Sequence, residues 1–149
     1  MEEYEYNGLS EYTRDELTHV LKDESFTDLD RTYYLGIYDS VAAYGENAIL
    51  AWDLSRALQL VSWYYIAGFY TYEEAMDVSL EIATELQTAY TSWDDMITSY
   101  LYGFQYWNED DMSDPTSESY NRANIYKKLK EQEEGPYTID WNHPLTKEW

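Results

Sequence analysis

The sequence predicts an all-α fold: a compact helical domain of about five to six helices, closed by one short strand or an extended C-terminal tail. Apolar residues recur at three- and four-residue spacings through most of the chain, strand-like alternation is scarce, and Ser, Thr and Gly stand at capping positions between the periodic segments. Ser10 is placed as the cap of a first helix with Leu17, Val20 and Leu21 facing inward. The segment Leu29–Tyr44 carries a stripe of Tyr34, Ile37, Tyr38 and Val41 and is broken by Gly45. Ala48–Ile66 is apolar on nearly all sides, the pattern of a central helix packed by neighbours, and Gly68 is its stop.

Thr71 and Glu74 have the spacing of a capping box, in which the hydroxyl accepts from the N3 amide and the carboxylate reaches back. They open a helix over Tyr72–Tyr90 with Ala75, Val78, Ile82, Leu86 and Ala89 inward. Ser92 caps the next helix, with Asp94 and Asp95 in its positively polarised first turn. Its stripe is Trp93, Ile97, Tyr100, Leu101, Phe104 and Trp107. Gly103 lies within that stripe, where a helical Gly costs about 1 kcal/mol unless a neighbouring helix approaches closely. The run NEDDMSDPTSES reads as a loop, Ser119–Lys130 as a last helix, and Gly135-Pro136 as its end. The reading is one helical domain over residues 1–149, with an acidic loop at 108–118 and a tail at 135–149.

Composition narrows the function classes. The net charge of −21 opposes nucleic acid and anionic membrane surfaces and favours a basic protein partner. An apolar content of 44% argues against disorder. No cysteine is present, which removes disulfides and thiolate zinc sites. The acidic N-terminus MEEYEYNGLSEY lacks the apolar region of a secretory signal, and the longest apolar run, Ala57 to Tyr70, is too short for a membrane span. A cytoplasmic location is expected.

Chemistry-bearing motifs are absent. No nucleophile elbow, phosphate-binding glycine loop or zinc-binding His pair occurs, and His19 and His143 have no partner at ligand spacing. Glu109, Asp110, Asp111 and Asp114 suggest calcium, but no register supplies both the glycine and the twelfth-position carboxylate of an EF-hand loop. Asp53, Glu73 and Glu74 are the carboxylates available for acid–base work, and Glu74 already serves as a cap. No catalytic residue, metal or cofactor is assigned.

Two features remain. Glu73, Asp77, Glu81 and Glu85 recur every four residues on a helix without a single Lys, although such like-charge pairs destabilise an isolated helix. With Tyr72, Tyr102 and Tyr106 they form the expected partner-binding set, since tyrosine offers rigid contact area with a polar tip. The second feature is Arg56, the only Lys or Arg between Thr32 and Trp107. It stands three residues after Asp53, beside Trp52, in the most apolar segment. A partly buried ion pair with Asp53 that organises the core is expected. The alternative is an anion-binding pocket built from Trp52, Asp53, Arg56, Trp93, Tyr100 and Trp107.

The pattern Trp52-Asp53-x-x-Arg56, then Gly68, Glu74-Ala75, Ser92-Trp93, Tyr100-x-x-Gly103 and Trp107 resembles the bacterial family of unknown function that includes the YbeU and YbeR proteins. The likeness covers residues 47–107, and Phe104 or Gln105 stands where that family usually has arginine. The resemblance implies a helical domain and no assigned activity. The functional expectation is a non-enzymatic acidic protein that inhibits or neutralises a basic partner, in the manner of an immunity protein covering a basic toxin. A small-anion-binding or hydrolytic pocket protein is the alternative.

Overall fold

Local hydrogen bonds set most of the helix boundaries. In the computed structural model, which describes residues 8–149, six α-helices follow one another: α1 (Arg14–Val20), α2 (Asp28–Tyr44), α3 (Leu50–Ile66), α4 (Tyr72–Ala89), α5 (Trp93–Asn108) and α6 (Glu118–Lys130). Thr13 with Glu16, Thr27 with Asp30 and Thr71 with Glu74 form complete capping boxes at the starts of α1, α2 and α4. Ser92 and Ser117 cap α5 and α6. Each such cap satisfies N–H groups that the helix itself leaves orphaned. The first helix is therefore capped at Thr13, not at Ser10, which lies in the short 3-10 turn Leu9–Glu11. The last helix starts one residue before the expected Ser119 because Ser117 takes the cap. No strand occurs among the described residues, and beyond the 3-10 turn Pro136–Thr138 the chain is an extended tail.

α5 packs on three helices, α2, α3 and α6, and α3 in turn carries α4 along its other side. The α3–α5 contact is close because Gly103 has no side chain. A Cβ built there would fall 2.4 Å from Trp52 Cβ and 3.2 Å from Ile49 Cβ. This is the close approach expected from the sequence. One apolar cluster joins Ala51, Leu86 and Tyr90 with Leu54, Leu58 and Ile82. A second joins Leu9, Leu17 and Leu21 with Phe26, Tyr34 and Ile37, between α1 and α2. Val20, expected inward, is exposed, because the short α1 offers the core only the face that carries Leu17.

Among the described α-helices, α3 alone has no side-chain cap of its own. Its first turn is held from a distance instead. The buried Tyr90 hydroxyl accepts from Ala51 N (3.0 Å), donates to Asn47 O (2.7 Å) and shares a hydrogen bond with Ser99 Oγ (2.7 Å). Burial raises the Tyr90 phenol above its ordinary value, so it stays neutral and able to donate.

Candidate functional site

The far end of α3 departs most from the sequence expectation. Its first turns are buried at Ala51 and Trp52, but beyond Val61 the helix leaves the body of the protein. Trp63 and Tyr64 are about half exposed, Ile66 is 79% exposed and Phe69 76%. Gly68, in the left-handed region at φ 78°, closes the helix. The chain then turns back through Phe69 and Tyr70, whose amides both reach Tyr64 O. Tyr64 meets Phe69 and Tyr70 edge-on, and Tyr65 meets Tyr72, so the rings brace one another across the turn. The all-round apolarity of this segment is therefore not that of a helix enclosed by neighbours: α4 covers one side and solvent bathes the rest. No Asp, Glu, Lys or Arg occurs between Arg56 and Glu73, so an uncharged aromatic tip projects from a protein of charge −21.

The acidic ridge begins where the tip ends. Glu73, Glu81 and Glu85 are exposed on α4, and Glu81 and Glu85 border an open groove with Asn47, Leu50, Thr84 and Thr88. Asp77 is different. It accepts from Lys147 Nζ (2.6 Å) and from Trp149 Nε1 (2.9 Å), which fastens the tail across α4. Of the tyrosines grouped with the ridge, only Tyr72 adjoins it. Tyr102 and Tyr106 lie on the side of α5 that faces α2, where Tyr106 stacks on Tyr33 at 5.6 Å.

The Lys147 hydrogen bond, then that from Trp149, holds the Asp77 carboxyl below the ordinary aspartate value of 3.8. A carboxyl lowered by folding contributes stability above its unfolded pKa, and that contribution is lost as pH falls through the folded value. The tail is therefore expected to release Asp77 only below pH 3.8. The Trp149 indole N–H resonance, followed during acid titration, reads this directly. A midpoint at or above 3.8, or an unchanged transition in Asp77→Asn, contradicts it.

The residues grouped around Arg56 separate into two clusters. Trp52 packs against Tyr100, Phe104 and Trp107 with ring centroids 5.3–5.6 Å away, which occupies the space that the expected pocket requires. Trp107 closes this stack from outside and is itself 62% exposed, so it is not an inward member of the α5 stripe. Trp93 lies elsewhere: it donates to Ile139 O at 2.8 Å and meets Tyr137 and Trp141 edge-on. The expected Asp53–Arg56 ion pair does not form. Both residues are exposed; Arg56 donates to Gln59 Oε1 at 2.8 Å and rests 5.6 Å from the Trp52 ring centroid. Water solvates the two charges on the outer face of α3, so nothing forces them together.

The acidic loop after α5 is turned inward to build structure. Asp110 accepts from Asn108 Nδ2, Ser119 N and Ser119 Oγ, while Asp111 and Asp114 accept from the amides of Ser113 and Thr116. Sequence reasoning missed two further features. One is the Tyr90 hydroxyl; the other is Arg122 of α6, whose Cζ lies 3.9 Å from the Phe104 ring centroid and whose Nη1 donates to Tyr100 Oη at 2.7 Å.

A family profile described as a protein of unknown function, DUF1266, matches residues 2–141. The chain belongs to the DUF1266 family. No curated protein and no solved structure matches it. In this DUF1266 chain the matched region takes in all six helices, the aromatic tip and the ridge, and stops at Trp141, before the strap formed by Lys147 and Trp149. Among the described residues, no helix is long and apolar enough to cross a membrane.

Proposed function

We propose that this DUF1266 domain is a non-enzymatic, cytoplasmic binding protein that captures a basic protein and neutralises or regulates it. The carrying observation is the tip: Trp63, Tyr64, Tyr65, Ile66, Phe69 and Tyr72 stand exposed next to Glu73, and the exposed Glu81 and Glu85 continue the acidic face along α4 toward Asn47 and Leu50. Exposed contiguous aromatic surface rimmed by charge marks interaction sites, and aromatic side chains dominate binding energy at interface centres. The surrounding negative field would steer a cationic partner and set its orientation, while the tip supplies the desolvated contact. A toxin-blocking immunity protein is one class with this character. The residue pattern over 47–107 supports placement with the YbeU- and YbeR-type members of the family.

Affinity capture from lysate of the source organism tests the reading, using the intact protein, Trp63→Ser/Phe69→Ser and Glu81→Lys/Glu85→Lys as parallel baits. One basic protein is expected on the intact bait, lost from both variants and released from the intact bait by salt. Retention of the same proteins by all three baits, or no enrichment of any basic protein, removes the proposal.

A further inference from the structure

Arg122 is a cation in an acidic protein that no carboxylate among the described residues has claimed. The chain has 30 Asp and Glu residues, yet the ion pairs among the described residues involve Arg14, Arg31, Lys130 and Lys147. The Arg122 guanidinium is fixed instead by the face of Phe104 and by the Tyr100 hydroxyl. Its Nε–H is buried and has no acceptor among the described residues. A guanidinium presents five donors; with one Nη1 N–H given to Tyr100 and Nε–H buried, the remaining Nη donors are the ones left for a carboxylate.

This side chain borders a groove of about 340 Å³ between α3, α5, α6 and the 3-10 turn, lined also by Ser55, Tyr100, Ile125, Leu129 and Tyr137. The volume suits a small organic molecule. The walls are aliphatic and aromatic with hydroxyls, and the arginine is the only charged residue among those lining it. Asp94 of α5 does not compete for it, being held by Lys130 Nζ and the Tyr126 hydroxyl.

We infer that the groove beside Arg122 is a binding site for a small organic carboxylate with an apolar body. The carboxylate meets the guanidinium while the body lies against Ile125 and Leu129. The site is independent of the aromatic tip and of the ridge. The overall negative charge disfavours simple anions, so selectivity rests on having an apolar body and one charge together.

Phenylacetate titrated into the full chain at physiological salt, followed by calorimetry and amide chemical shifts, tests the site. One-to-one saturable binding is expected, with shifts centred on Ser55, Ile125 and Tyr137. Phenylacetamide, which keeps the body without the charge, and acetate, which keeps the charge without the body, are expected to bind at least about tenfold more weakly. Arg122→Gln should weaken phenylacetate by about tenfold or more, with Arg122→Lys intermediate, because an ammonium keeps the charge but loses the fork. Ser55→Phe fills the groove with the arginine intact and should abolish binding. That variant and the ligand series decide the matter if Arg122→Gln does not fold. No saturable binding of phenylacetate, equal binding of acetate or inorganic phosphate, or unchanged binding in Ser55→Phe overturns the inference.

Discussion

Gly103→Ala lowers the stability of the folded protein by about 3 kcal/mol, at the upper end of what overpacking costs. For a chain of this size that is a fall of about 10 °C in Tm. The sign is the informative part. In a solvated helix the same change would stabilise by up to about 1 kcal/mol, because alanine is the better helix former. Here the added methyl would sit 2.4 Å from Trp52 Cβ and 3.0 Å from Trp52 Cγ. Neither atom can swing aside without moving α3, since a Cβ is fixed by its own backbone and the Trp52 ring is pinned among Tyr100, Phe104 and Trp107. Denaturant unfolding followed by tryptophan fluorescence checks this. An alanine variant as stable as the parent would mean that α3 and α5 do not pack as described.

Tyr90→Phe is the second large effect, about 2 kcal/mol, from removing one oxygen atom. Ala51 is fully buried, and its N–H has the Tyr90 hydroxyl as its acceptor at 3.0 Å. Without that oxygen the first turn of α3 keeps a buried, unpaired donor, whose cost is about 1–3 kcal/mol. Asn47 O suffers less, because Ser99 Oγ also donates to it at 3.2 Å. Tyr65→Phe, with its side chain about half exposed, serves as the control and should be nearly neutral. Besides the loss of stability, the Ala51 amide should exchange with solvent faster in the Tyr90 variant, measured by hydrogen–deuterium exchange. Equal stability of the two phenylalanine variants would show that Tyr90 does not act as the cap of α3.

How much of this was legible in the sequence depends on the range of the interaction. Thr71 with Glu74 and Ser92 with Asp94 and Asp95 act within one helical turn, so their spacing alone announced the starts of α4 and α5. Gly103 was legible because a glycine inside an apolar stripe needs a reason, and close packing is the usual one. Tyr90 was not legible as a cap, because its target Ala51 lies 39 positions away and only the tertiary fold brings them together. Arg122 was overlooked for the same reason: it follows the acidic loop and precedes three lysines, a context that reads as a solvated helix. The stretch AWDLSRALQLVSWYYIAGFY misled in an instructive way. Apolarity on all sides of a helix means removal from water only where neighbours exist, and α3 outruns them after Val61. The candidate site was legible as a list of residues more than as an arrangement. Glu73 and Glu81 are exposed and have no partner among the described residues, whereas Asp77 is engaged by a lysine 70 positions away.

The hydrogen bonds around Tyr90 also give the α3–α4 hairpin the mechanics of a lever. Its base is clamped, because the start of α3, the residue after α4 and Ser99 of α5 all meet at one phenol. Its outer turns carry no comparable anchor to α5. From Val61, the last buried residue of α3, to Ile66 the free arm is about 7.5 Å long at 1.5 Å per residue, so a bend of about 15° there carries the rings near Ile66 sideways by about 2 Å. Such a displacement leaves the packing around Ala51 almost untouched. The aromatic end can therefore shift by about 2 Å while the helices beneath it keep a single arrangement.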